Sequence, residues 1–246
     1  MTVFTLILGM HRSGTSCLTG CLESAGLFLG DVVTEAKFNK RGNRENKKIV
    51  QLNDLLLAHN SASWSNPMDI VSWDMEHELA RGSLISSYAM CDNYSVGIKD
   101  PRICFSLPFW LDGIEKYRFI GTFRHPHSVA LSLNYRNNMP LDVAYDLWNK
   151  YNTKLLEYLR SYQFPLLCFD VENAKYLQDI ESICSFLDLN KPSNSADFFE
   201  SSLRNHNIGN EYINLPQNTT HIYNELLEYY NNQDIARNNI YTKGHQ

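Results

Sequence analysis

LILGMHRSGTSCL, Leu6 to Leu18, decides how the chain is read. An apolar run beginning at Val3 breaks at Gly9 and gives way to a helical pattern from Thr15, so a buried strand passes through a tight turn into a helix. The frame Gly9-x-x-x-x-Gly14 has the spacing of a phosphate-binding loop, where backbone N–H groups and the positive end of a helix dipole meet at one point. A nucleotide triphosphatase carries Lys and then Ser or Thr after the second glycine, whereas this chain has Thr15 and Ser16. The expectation is a phosphate cradle without its lysine. Ser13, Thr15 and Ser16 add hydroxyl donors, and Arg12 adds a planar cation able to clamp two oxygens.

Outward from that loop, short β-type runs alternate with helical patterns. Strands are expected at Val3–Leu8, Tyr94–Ile98, Tyr117–Phe123 and Leu166–Phe169. Helices are expected at Thr15–Ala25, Glu45–Ala58, Met75–Ala89, His127–Asn137, Leu141–Ser161 and Ile180–Leu187, with one more near Tyr223–Tyr230. In the long helix, Leu141, Tyr145, Trp148, Tyr151, Leu155 and Tyr158 recur at helical steps, and Pro140 suits its first turn. The alternation predicts an α/β fold of three layers, a central parallel sheet flanked by helices as in P-loop NTPases. The 246 residues, 43% of them hydrophobic, are expected to form a single domain over 1–246, with an Asn- and Tyr-rich extension after about residue 206. The polar, aperiodic stretch Gly30–Arg44 is expected as a loop at the carboxyl edge of the sheet, where open α/β folds bind ligands.

Charge and cysteine usage narrow the function. With 22 Lys+Arg against 27 Asp+Glu and a net charge of −5, the chain has no electrostatic footprint for nucleic acid or anionic lipid, so any anion site must be local. The six cysteines form no CxxC pair and lie mostly in apolar segments, as reduced core cysteines do; Cys17 and Cys21 read as helix packing. The N-terminal stretch lacks a basic leader pattern and no apolar run approaches the ~20 residues of a membrane span. The expectation is a cytoplasmic chain without stable membrane insertion. Its oligomeric state is not legible.

A second cradle follows the strand YRFIGTF. A triphosphatase places an acid near the end of such a strand to hold Mg²⁺; here the residue is Arg124, which repels a metal and attracts an anion. Pro126 can then open a helix on which Ser128 and Ser132 share one face. Two anion cradles without the triphosphatase lysine or metal acid suit a ligand with phosphates at two points, such as 3′-phosphoadenosine 5′-phosphosulfate.

At these residues the chain resembles the P-loop sulfotransferase superfamily, in particular the bacterial branch whose first loop reads like GMHRSGTS. The resemblance implies that Arg12, Ser13, Gly14, Thr15 and Ser16 hold the 5′-phosphosulfate and that Arg124 and Ser132, eight residues apart, hold the 3′-phosphate. GIKDPRICFSLPFWL is similar to the family's strand-end Lys and Pro-containing segment, which implies Lys99 near the sulfuryl group and Arg102 near cofactor or acceptor. FFESSLRNH is similar to a segment near the C-terminus that brings Arg204 and His206 toward the cofactor, the other reading being a surface loop. The match runs from residue 3 to about 206. It departs from many cytosolic members at Arg12, where they have Lys, and at Asp100, where they have a His base.

The implied activity is PAPS-dependent transfer of a sulfuryl group to a hydroxyl or amine of a small-molecule or glycan acceptor, with no metal. Trp64, Trp73 and Trp110 are available to stack on a sugar ring or to pack as core. For the base, Glu45 is preferred, because it resembles the Glu of a Glu-Asn pair in related bacterial enzymes; it reads equally as a first-turn acid that complements the helix dipole, with Asn43 as cap. Asp100 is the second candidate. His11, His59 and the other histidines show no metal-ligand spacing. The rival classes are a metal-dependent P-loop small-molecule kinase, disfavoured by Thr15 and Arg124, and a non-catalytic nucleotide-binding module, disfavoured by the retention of Glu45, Lys99 and Arg102.

Overall fold

The computed structural model describes residues 2–35, 42–90, 95–191, 214–235 and 240–243. Four parallel strands, β1 (Val3–Leu8), β2 (Ser95–Lys99), β3 (Lys116–Phe123) and β4 (Leu166–Cys168), lie in the order β2-β1-β3-β4. A short antiparallel strand, β5 (Tyr241–Thr242), shares an edge of β3 with β4: it pairs at Lys116 and Tyr117, while β4 pairs from Gly121 to Phe123. Eight helices are described: α1 (Thr15–Ser24), α2 (Lys47–His59), α3 (Met75–Ala89), α4 (Ile103–Gly113), α5 (Pro126–Asn137), α6 (Leu141–Tyr162), α7 (Asn173–Phe186) and α8 (Gln217–Asn232). No helix among the described residues is long and apolar enough to cross a membrane.

The strands are mostly apolar and buried because the sheet is covered on both faces, and polar residues within them such as Thr5, Arg118 and Thr122 are buried as well. Phe4, Leu6 and Leu8 of β1 enter a large core built with α2 to α6 and α8, while Ile7 enters a smaller one with Leu18 and Leu22 of α1 and Ile180 and Ile183 of α7. The three layers expected from the alternation are therefore present. Within α6 the expected stripe is buried at Trp148, Tyr151 and Leu155, whereas Leu141 stays outside.

Several elements differ from the sequence reading: β5 was not expected, and α8 starts at Gln217, ahead of the helix expected near Tyr223–Tyr230. α4 was not expected, because Pro108 sits inside it. Proline removes the N–H that would bond the carbonyl four residues back, and the Tyr158 hydroxyl, from α6, donates to that Cys104 carbonyl at 3.1 Å. α7 begins at Asn173, two turns ahead of the expected start, since Tyr176 and Asp179 are buried on the same face as Ile180. The cap of α2 is Asn46, which accepts from Lys48 N at 2.9 Å; Asn43 is not the cap and Glu45 lies outside the first turn.

The register brings three strand ends to one edge. Ile7 lies opposite Lys99, and Leu8 lies opposite Gly121 just before the end of β3. Because β1 lies between β2 and β3, the chain reverses its direction of travel across the sheet at β1, and the loop from Gly9 sits at that switch point. Gly9 is demanded there: a Cβ would fall 2.5 Å from the Thr122 carbonyl oxygen.

Candidate active site

The first loop leaves β1 at Gly9 and enters α1 at Thr15. Arg12 (φ 67°) and Gly14 (φ 84°) adopt left-handed backbone, a geometry suited to gathering N–H groups into an anion-holding concavity. Gly14 caps α1 without any side-chain hydrogen bond, so the helix start offers its N–H groups to a ligand. The Ser13 hydroxyl is fully buried without a hydrogen-bond partner among the described residues, and Thr15 is buried beside it.

Arg12 turns from this loop onto α5, where its Nε donates to Ser132 Oγ at 2.7 Å. The two cradles that the sequence separates are thus joined by one side chain. Arg124, at the end of β3, is nearly buried; its Nε donates to Asp170 at 3.2 Å and its guanidinium lies 5.2 Å from the centre of the Phe169 ring. The same ring closes on the first loop, since a Cβ on Gly14 would stand 2.2 Å from it. The backbone of Arg124 is pinned as well, its carbonyl accepting from Trp148 Nε1 at 3.1 Å. Burial lowers Arg12 to about 10, and repulsion from Arg136 and Arg124 adds to the effect.

Arg136 is a member of this cluster that sequence reasoning missed. Its signal was available, because Ser128, Ser132 and Arg136 fall at four-residue steps along α5. His11, which the sequence gives no metal-ligand spacing, lies beside the cluster. It is half-buried, packs edge-on against Trp64 and Tyr151 with ring centres 5.2 and 5.7 Å away, and has no partner for Nε2 among the described residues. Burial and the positive charges of Arg102, Lys99, Arg136 and Arg12 hold its pKa well below the ordinary histidine value. A lone His in a loop carries no sequence pattern that would reveal such surroundings.

On the other side of the loop, Lys99 is buried at the end of β2. Its three donors are met by Glu45 Oε1 at 2.6 Å, the Asn43 carbonyl at 2.9 Å and Ser16 Oγ at 3.4 Å. Glu45 is held by backbone pairing to Val33 just before α2 and has a side chain 14% exposed, so the pair is largely withdrawn from water. Asp100 is fully buried. It accepts from Asn53 Nδ2 at 2.9 Å and from the Arg102 backbone and guanidinium at 3.1 and 2.9 Å. Asn53 accepts in turn from Ser106 at 2.7 Å and Trp110 at 2.9 Å, and Arg102 also donates to Asp54 at 2.6 Å. Trp110 is therefore a core anchor of this network, whereas Trp64 and Trp73 remain partly exposed.

Arg12, Ser13, Gly14, Thr15, Ser16, Glu45, Lys99, Arg124 and Ser132 thus gather at one edge, with Asp100 packed behind Lys99; Arg204 and His206 lie outside the described residues.

Comparison with solved structures agrees with the architecture. The sulfotransferase domain from the Synechococcus PCC 7002 olefin synthase shares the fold with a TM-score of 0.58 at 15% identity, over 92% of this chain and 94% of that one. The sulfotransferase domain from the curacin biosynthetic pathway aligns with a TM-score of 0.53 at 16% identity, over 92% and 98%. At these identities the likeness is one of fold. No curated protein matches the sequence. A family profile of the origin recognition complex subunit 1 C-terminal winged HTH domain matches residues 19–99. In the structure that stretch runs from α1 through α2 and α3 into β2, which pairs in parallel with β1 as part of the α/β sheet.

Proposed function

We propose that this chain is a sulfotransferase that moves a sulfuryl group from 3′-phosphoadenosine 5′-phosphosulfate to a hydroxyl or amine of an acceptor. The observation that carries the reading is the cation cluster at the first loop. Arg12, which forms no ion pair among the described residues, has its charge weakened by burial and by Arg136 and Arg124. Bringing such charges together is unfavourable unless an anion joins them. The uncapped start of α1 and the buried Ser13 hydroxyl, without a partner among the described residues, would give that anion its hydrogen bonds.

Arg12, Ser13, Gly14, Thr15 and Ser16 would hold the 5′-phosphosulfate, and Arg124 and Ser132 the 3′-phosphate. The donor supplies an activated sulfuryl group and a bisphosphate leaving group. As the acceptor oxygen or nitrogen bonds to sulfur, the sulfur–oxygen bond to the leaving phosphate breaks. Arg12 and Lys99 would stabilise the charge that spreads over the transferred group and leaving oxygen. Glu45 would receive the acceptor proton. Since Lys99 binds both Glu45 and Ser16 in the free protein, an anion at Ser16 gives the ammonium a second negative partner and releases the carboxylate for that task. Asp100, engaged with Asn53 and Arg102, would position the Lys99 turn without touching the reactants.

Thermal melts with adenosine 3′,5′-bisphosphate and with Mg·ATP, each with and without a chelator, test the reading. The expected result is a rise in Tm with the bisphosphate that the chelator leaves intact. A rise with Mg·ATP and none with the bisphosphate overturns it. Labelled donor offered to a panel of alcohols, amines and glycans then separates an enzyme from a nucleotide-binding module by the appearance of labelled product.

A further inference from the structure

Away from the carboxyl edge, three side chains that the chemistry above does not use converge where α2 ends and α3 begins. His59 closes α2, Asp74 caps α3 and His77 lies in its first turn. One ligand atom from each lies within 4.8 Å of the others, and the two imidazole rings are 5.3 Å apart between centres. We propose that His59, Asp74 and His77 form a binding site for one divalent transition ion of the zinc class.

The donor set selects the ion. Two imidazoles and one carboxylate suit zinc, whereas magnesium and calcium take oxygen ligands almost exclusively. A tetrahedral ion with bonds of about 2.0–2.1 Å needs its ligand atoms about 3.4 Å apart. Closing from 4.8 Å takes side-chain rotations of about an ångström. His59 and Asp74 are exposed and His77 half-buried, so the rotations are unobstructed by a packed core, and water can complete the fourth position.

The backbone beneath the cluster is already fixed. Asn60, next to His59, accepts from Val71 N at 3.1 Å and Ser72 N at 3.2 Å and donates to the Ser72 and Leu56 carbonyls at 2.9 Å. The end of α2 is thereby clamped to the chain two residues before Asp74, and Trp73 packs on Phe109 with ring centres 5.5 Å apart. The positive end of α3 opposes a cation here, and the carboxylates of Asp74, Glu76 and Glu78 in its first turn offset that opposition. Without an ion, His77 Nδ1 lies 2.6 Å from Asp74 Oδ1 while the His77 backbone N–H donates to the same carboxylate. An ion held by both helices closes the intervening segment, and Trp64 in that segment is the residue whose ring packs on His11 beside the proposed donor site.

The test is titration of the full, chelator-treated chain with zinc chloride, followed by calorimetry and thermal melting. One ion per chain is expected, with Tm rising by roughly 5–10 °C at a hundredfold excess over Kd, and no rise with magnesium. His59→Ala, which leaves the α3 cap intact, should weaken zinc binding by roughly 100-fold or more while leaving the Tm shift caused by adenosine 3′,5′-bisphosphate unchanged. That second readout separates failure of this site from failure of the sulfotransferase reading. No binding at millimolar zinc, or equal zinc affinity in the wild type and in a His59→Ala/His77→Gln double variant, overturns the proposal.

Discussion

Two groups of cations flank the first loop, and they are built in opposite ways. Lys99 and Arg102 are each answered by acids, Lys99 by Glu45 and Arg102 by both Asp54 and Asp100. Burial works against the Arg102 charge, yet the carboxylates of Asp100 and Asp54 raise its pKa above the ordinary arginine value. Among the described residues Arg12 has the Ser132 hydroxyl as its hydrogen-bond partner, and burial with repulsion from Arg136 and Arg124 pulls it down to about 10. Arg102 and Arg12 are both half-buried, so exposure does not explain the contrast between them. The compensated group is complete as it stands, as a scaffold or proton relay must be. In the other group Arg124 has Asp170 beside it at 3.2 Å, but Arg12 has no ion pair among the described residues, which supports the proposal that a donor's phosphates bind there.

The sharpest way to break this contrast is Glu45→Gln, which keeps the shape of the side chain and removes its basicity. Turnover should fall by roughly 10²- to 10⁴-fold while bisphosphate affinity survives. Near-normal turnover in that variant, together with collapse in Asp100→Asn, would transfer the proton to Asp100. If Asp100 is only a positioning group, Asp100→Asn should cost about 3 kcal/mol of stability in urea melts, because it leaves Arg102 partly uncompensated, with donor affinity intact.

Within the group of Arg12 and Arg124 the signs reverse. Arg124→Ala should weaken adenosine 3′,5′-bisphosphate by about 2 kcal/mol and leave adenosine 5′-phosphosulfate unaffected; equal loss for both ligands would make the residue structural. Arg12→Asn, chosen because Asn tolerates a left-handed backbone, should weaken both ligands while moving the Tm of the free protein little. Arg102→Ala should lower that Tm.

The smallest effect is that of pH. The folded pKa of His11 is depressed, so the unfolded chain takes up a proton that the folded chain refuses. Its contribution to stability is present above about pH 6.5 and is lost as pH falls from there toward the folded pKa, by at most about 1.4 kcal/mol per unit. The acid limb of Tm against pH should be shallower in His11→Asn than in the wild type.

What the sequence discloses follows from how local each cause is. β1 and β3 are legible because a strand covered on both faces is mostly apolar, Thr5, Arg118 and Thr122 being the buried exceptions, and Thr15 and Arg124 are legible because each stands at a fixed step from a strand end. α4 is hidden because its repair is distant: the hydroxyl that answers Pro108 belongs to Tyr158 in another helix. β5 has two residues and carries no period. Glu45 was legible as an acid at the start of a helix and Lys99 as a strand-end cation, but their pairing was not, because it depends on how β2 ends beside the segment held by Val33. His59 and His77 belong to different helices and meet only through the turn that Asn60 clamps.

Phe169 stands between the first loop and Arg124, in contact with the face where Gly14 has no side chain and beneath the guanidinium. In evolutionary terms these positions are inherited together. A side chain at 14 is tolerated only if 169 shrinks, and a smaller 169 deprives Arg124 of the aromatic platform that fixes its distance from the loop. Drift at any one of the three is therefore penalised by the other two, and descendants of this chain should keep the glycine, the ring and the arginine as a set or lose all three.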